Sequence, residues 1–176
     1  MQIKILEDEV VCQGKRVSLL RRKVSLEGKE VDYDVVRFGE SVVIIPVTDR
    51  QEVIMVRQWR PTINAWVLEL PAGKVEENED PREAALRELI EETGYSAGKV
   101  DKLGTFIVSP GYSDERIHVY LAIDLEFLGA SPEEDEVINI HKCGIKQCIS
   151  ELATQDLIDM KSLAALLFLK ERLPYA

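Results

Sequence analysis

Residues Gly73 to Tyr95 read GKVEENEDPREAALRELIEETGY, and the interpretation of the whole chain turns on them. Asp80 has the side chain of a helix N-cap, Pro81 suits the first helical position, and Glu83 stands three residues after the cap, where a capping box places its acid. A helix starting there runs to Thr93 and ends at Gly94, a residue free to take the left-handed conformation. At about 100° per residue, Ala85, Leu86, Leu89 and Ile90 gather into one apolar arc, with Glu88, Glu91 and Glu92 in an acidic arc beside it. Like charges at such spacings cost roughly 0.2–0.5 kcal/mol per pair, and no lysine within the following turn offsets them. A divalent cation would, although a Glu-rich helix is by itself more commonly a solvated surface.

The spacing around those acids is more specific than the helix. Gly73, Glu79, Arg87, Glu88, Leu89, Glu91, Glu92 and Gly94 follow the pattern G-x5-E-x7-R-E-U-x-E-E-x-G, where U is bulky and apolar. The stretch resembles the Nudix hydrolase box at every polar position and both glycines, departing only at Tyr95, where an aliphatic residue is usual. The resemblance implies an α/β Nudix fold, an α/β/α sandwich around a mixed sheet, with a small antiparallel sheet N-terminal to it. It further implies a loop-helix-loop that holds Mg²⁺, or Mn²⁺ or another divalent ion in its place, against a diphosphate. Glu88 and Glu92 would be principal ligands and catalytic residues, Glu91 and the Ala72 carbonyl further ligands, and Arg87 and Glu79 a tie between helix and loop. Hard oxygen donors suit such an ion, which is usually shared with substrate phosphates.

Downstream, SPGYSDE sets Pro110 sixteen positions past Gly94; with RQWRP and ELPAG upstream, this is similar to the ADP-ribose pyrophosphatase branch of that family. The likeness extends from about Val31 to the C-terminus. It implies hydrolysis of ADP-ribose to AMP and ribose 5-phosphate, with Glu115 reaching the terminal ribose, Glu134 or alternatively a box glutamate as catalytic base, and Glu136 as helper or ligand. In isolation, Ser131 to Glu136 would be a solvated acidic loop. Arg57 and Arg60 beside Trp59 form either a salt-bridged strand end or a phosphate clamp, and Glu69 would orient Arg57 or meet substrate. Tyr33 and Arg37 share a strand face, either as sheet packing or as a platform for a base. Other nucleoside diphosphate sugars, dinucleotides, damaged nucleoside triphosphates and a non-catalytic ADP-ribose sensor remain alternatives.

The rest of the chain sets bounds. Its 176 residues, 45% of them hydrophobic, suffice for one domain of ordinary size with an appendage. The expected division is residues 1–38, a β-sheet for dimerisation and base binding, and residues 39–176, the hydrolase domain. A net charge of −10 disfavours nucleic acid as a partner. The N-terminus lacks a basic region followed by an apolar one, and no run of about 20 apolar residues suggests a membrane span. Cys12, Cys143 and Cys148 are odd in number and show no metal-ligand spacing with His118 or His141, so three free thiols in a cytoplasmic protein are expected. Short strands are expected at Ile3 to Leu6, Val17 to Leu26 and Val31 to Phe38. Such a sheet is marginal alone and packs on the main domain or, as a homodimer, on a second copy. Ser41 to Val47 reads as a buried strand forming a hairpin with Glu52 to Trp59. A final helix capped at Asp159 would bury Leu163, Leu166, Leu167 and Leu173.

Overall fold

The computed structural model describes residues 2–129 and 138–172. The chain divides into a unit made of Met1–Glu40 with Phe106–Ile117 and a unit made of Ser41–Thr105 with His118–Ala176.

In the first unit, β1 (Ile3–Gln13), β2 (Ser18–Leu26) and β3 (Lys29–Arg37) form an antiparallel meander in sequence order. Glu27 and Gly28, with φ of 52° and 90°, make the two-residue turn between β2 and β3 that matches sheet twist. β1 is longer than its apolar start suggests because its charges are satisfied across the ladder. Asp8 receives Arg22 Nε and Nη2 at 2.8 Å each, and Arg37 Nη2 at 3.0 Å. The Asp114 carboxylate caps the end of β3 by accepting the Phe38 and Gly39 N–H groups at 2.8 and 3.1 Å.

The second unit carries two sheets, apart from the ends of three strands at Glu40, Phe106–Ile107 and Arg116–Ile117, which belong to the first unit. One has the order β7 (Ala72–Lys74), β4 (Glu40–Pro46), β9 (Arg116–Phe127), β8 (Tyr95–Ile107); the other has the order β10 (Ile138–Gly144), β5 (Glu52–Arg60), β6 (Ala65–Glu69). The expected β4–β5 hairpin is therefore corrected: the two segments meet only at the isolated bridge Val47–Val53 and then enter different sheets. Both are apolar on both faces, so each takes an interior place, with a neighbour on either side. Helix α1 (Pro81–Thr93) lays Ala84, Ala85 and Leu89 against Val42, Ile44, Val100, Tyr120 and Ala122 of the first sheet. Helices α2 (Ile145–Ala153) and α3 (Met160–Arg172) pack together, α2 also meeting β5 and β10. Helices against two sheets are the α/β class the motif implied.

Two further expectations need correction. Cys12 is free and exposed, but Cys143 and Cys148 form a disulfide across the junction of β10 and α2, where the turn brings their Cα atoms to 5.6 Å. In α3 the buried residues are Ser162, Ala165, Leu166 and Leu169, whereas Leu167 is exposed. The apolar stripe is rotated because Ser162 turns inward to bond backbone, as described below. Leu173 lies outside the described residues. Among those residues, no helix is long and apolar enough to cross a membrane.

Candidate active site

Three short elements in succession build the site. β6 ends at Glu69; Pro71 accepts the Ile44 N–H at 2.9 Å; and β7 then pairs with β4, placing Ala72 opposite Val43 and Gly73 opposite Val42. A loop leads to Asp80, which caps α1 by accepting the Arg82 N–H at 2.8 Å. Gly94, at φ 75°, ends the helix with its N–H on the Ile90 carbonyl at 2.8 Å. Both predicted helix boundaries hold. Glu83 pairs with the Arg82 side chain at 3.1 Å.

The acidic arc is drawn inward. Glu88 and Glu92 are 9% and 2% exposed, and Glu92 Oε2 accepts the Ala72 N–H at 3.2 Å. The Glu88 carboxylate lies over the Cα of Gly73, where any Cβ would collide with it. Gly73 is thus required by close approach rather than by an unusual φ. Glu91 stands at the rim, its side chain 33% exposed.

Arg87 organises these acids. Its Nε and Nη2 hold Glu79 bidentately at 2.9 and 3.0 Å, Nη2 also donates to the Lys74 carbonyl at 3.1 Å, and Nη1 is shared by Glu88 at 2.8 Å and Glu91 at 2.9 Å. The tie between helix and loop is as expected, and the same guanidinium offsets the glutamate repulsion from the N-terminal side. The Arg87 hydrogen bond holds the Glu79 carboxyl below its ordinary value, and the surrounding carboxylates, Glu79 first, push the Arg87 guanidinium upward. Four carboxylates, those of Glu79, Glu88, Glu91 and Glu92, thus gather at the helix and its loop, three of them bonded to Arg87 and the fourth acting through its charge on Arg60. Hard oxygen donors, two of them buried, beside a glycine with no Cβ make a cradle that fits a divalent ion.

Arg60 and Glu69 are joined as a fork, Nε to Oε1 and Nη2 to Oε2 at 2.7 Å each. The partner of Glu69 is thus Arg60 rather than Arg57: Glu69 lies opposite Val56, whose strand face Arg60 shares, while Arg57, opposite Leu68, is on the other face. Glu69, 2% exposed, also holds Lys161, which binds Asp159 at 2.9 Å. Burial raises the Glu69 pKa, but the Arg60 hydrogen bond and the charges of Lys161 and Arg60 outweigh it, so the net displacement is downward. Arg57 is exposed on β5.

Of the expected site residues, Ala72, Glu88, Glu91 and Glu92 come together with Arg87. Arg57, Arg60 and Glu69 belong to the same unit, while Tyr33, Arg37 and Glu115 belong to the other. Glu134 and Glu136 lie outside the described residues. Sequence reasoning missed Lys161 and Ser162. Ser162 Oγ accepts the Leu70 N–H at 2.6 Å, and its own N–H bonds Asp159 at 3.0 Å, fastening α3 to the turn before β7. The available signal was the D-x-x-S spacing of an N-terminal cap, which does not reveal that the serine also serves a turn 92 residues away in sequence.

Comparison with known proteins bears on this geometry. The NUDIX domain model matches residues 37–165. The ADP-ribose pyrophosphatase of Bacillus subtilis (strain 168) is 35% identical over 173 residues, covering 97% of this chain and 94% of its own. The methanol dehydrogenase activator of Bacillus methanolicus is 34% identical over 170 residues, covering 95% and 92%. A crystal structure of an ADP compounds hydrolase superposes with a TM-score of 0.84 at 22% identity, over 98% of this chain and 95% of that one.

Proposed function

The chain belongs to the Nudix family, and from that premise we propose that it hydrolyses the diphosphate linkage of ADP-ribose, giving AMP and ribose 5-phosphate. The observation that carries the reading is the buried pair Glu88 and Glu92, closed onto Ala72 and Gly73 by a helix whose Arg87 is shared among three carboxylates. The full-length relatedness to an ADP-ribose pyrophosphatase supports the substrate.

In this proposal Glu88, Glu92, Glu91, the Ala72 carbonyl and Glu136 would hold Mg²⁺, which when bound neutralises charge on the diphosphate oxygens and lowers the pKa of coordinated water. Glu134 takes the proton of the attacking water. Arg57 grips a phosphate, its exposure leaving the guanidinium accessible to one. Arg60 does so from a position fixed by Glu69, whose burial and double cationic pairing suit it to positioning more than to substrate contact. Tyr33 and Arg37 receive the base, and Glu115 the terminal ribose. The molecule would act as a cytoplasmic homodimer joined through its N-terminal strands, with residues 1–38 as the subdomain that supplies them and with no nucleic-acid partner.

The test is product analysis over a panel of ADP-ribose, other nucleoside diphosphate sugars and dinucleotides, with and without Mg²⁺. AMP and ribose 5-phosphate should appear fastest from ADP-ribose and cease on chelation. E88Q and E92Q should each lose activity by orders of magnitude while keeping the far-ultraviolet dichroism of the parent. Tight calorimetric binding of ADP-ribose with no metal-dependent turnover would instead favour a sensor.

A further inference from the structure

A second set of metal-ligating side chains stands on β10 and α2, outside the glutamate site. His141 and Cys143 are two apart on β10 and share a strand face; Cys148 and Glu151 are three apart on α2 and share a helix face. The junction folds one face onto the other. His141 Nε2 lies 2.6 Å from Glu151 Oε2, and single ligand atoms of His141, Cys143 and Glu151 all fall within 4.8 Å of one another. The Cys148 sulfur is bonded to that of Cys143. Cys143 and Cys148 are 3% and 0% exposed, whereas the His141 and Glu151 side chains keep 40% and 32%. The sulfurs thus form a floor, and the imidazole and carboxylate an open side. Gln147 Nε2 donates to Glu151 Oε1 at 2.7 Å and orients that carboxylate, as outer partners of metal ligands do.

We propose that, with the Cys143–Cys148 bond reduced, His141, Cys143, Cys148 and Glu151 form a tetrahedral site for a borderline-soft divalent cation of the zinc class, the disulfide being its metal-free, oxidised form. Two thiolates, an imidazole and a carboxylate are a zinc donor set, whereas Mg²⁺ selects oxygen, so the two sites of the molecule take different ions. Bond lengths of about 2.0–2.3 Å put tetrahedral ligand atoms roughly 3.3–3.8 Å apart. Three atoms already within 4.8 Å reach that geometry by side-chain rotation, and reduction lets the two sulfurs separate. The proton that His141 Nε2 donates to Glu151 moves through solvent to Nδ1, leaving Nε2 and the carboxylate free for the ion. Opening the bond takes two electrons and two protons, which a small dithiol supplies while closing to its own cyclic disulfide; metal binding then releases both thiol protons. A purely structural staple between strand and helix would need neither His141 nor Glu151 beside it.

The full chain, reduced anaerobically with a dithiol and desalted, is titrated with cobalt(II). Thiolate-to-cobalt charge-transfer absorption in the near ultraviolet and strong tetrahedral d–d bands should saturate at one equivalent and vanish when zinc is added. The oxidised protein and the C143S/C148S variant should show neither, while C12S and E88Q retain both. H141A should weaken cobalt affinity at least about tenfold, the low end for losing even an outer partner. Absence of the bands once thiol titration shows both sulfurs open would overturn the proposal. So would bands that survive in C143S/C148S, or a disulfide that no dithiol opens in the folded protein.

Discussion

A methyl group at position 73 would need the space that the Glu88 carboxylate now fills. G73A should therefore displace Glu88, reduce turnover as severely as E88Q does, and cost about 1–3 kcal/mol by overpacking. Because the conflict lies between two side chains, E88A in the G73A background should recover most of that stability in urea unfolding while the protein stays inactive. A double variant no more stable than G73A would place the strain in the backbone instead. Glu69 makes a second prediction, through pH. Its folded pKa is lowered, so the stability it contributes is fully present above its unfolded value of 4.5 and is lost as pH falls through the depressed folded value. The parent should lose thermal stability steeply below that pH, and E69Q should start less stable at neutrality and show a shallower acid limb in scanning calorimetry. Equal slopes would remove Glu69 from the acid response.

Where backbone and local spacing set the outcome, sequence sufficed. Asp80, Pro81 and Gly94 bounded α1 correctly, and the glutamate spacing put Glu88, Glu91 and Glu92 in one arc, of which Glu88 and Glu92 are buried. Sequence failed where the partner is distant along the chain. Nothing in the apolar runs of β4 and β5 distinguishes a shared ladder from two sheets, since both patterns bury both faces. Glu69 took Arg60 rather than Arg57 because it lies opposite Val56, on the strand face that Arg60 shares and Arg57 does not. The inward turn of α3 likewise follows from a long-range bond, and it can be tested. S162A removes the acceptor of the buried Leu70 N–H and should cost about 1–3 kcal/mol in denaturant unfolding. Since Leu70 precedes Ala72 by two residues, kcat should fall with it, and S162T, which keeps the hydroxyl, should restore part of both. Unaltered kcat in a measurably destabilised S162A would mean that α3 braces the fold without tuning the site.

At the scale of the whole molecule, the N-terminal meander is the surface through which we propose that the chain assembles. Ile3, Ile5 and Val10 of β1 are exposed, although the motif-bearing unit has its own core. In the proposed homodimer these residues are covered by the second copy. I5K/V10K should shift sedimentation velocity from dimer to monomer and raise KM if Tyr33, Arg37 or Glu115 serve the site; a dimer of undiminished mass would move the interface elsewhere. The bareness of β1 along all eleven residues also has a handling consequence. Where dilution separates the proposed dimer, an uncovered edge of that length is a template for unwanted pairing, so dilute stocks should adsorb to vessel walls and lose specific activity in proportion to surface rather than time. Assays run with a carrier protein would read higher than those without, and preparations tagged next to Ile3 would behave differently from those tagged beyond the last helix.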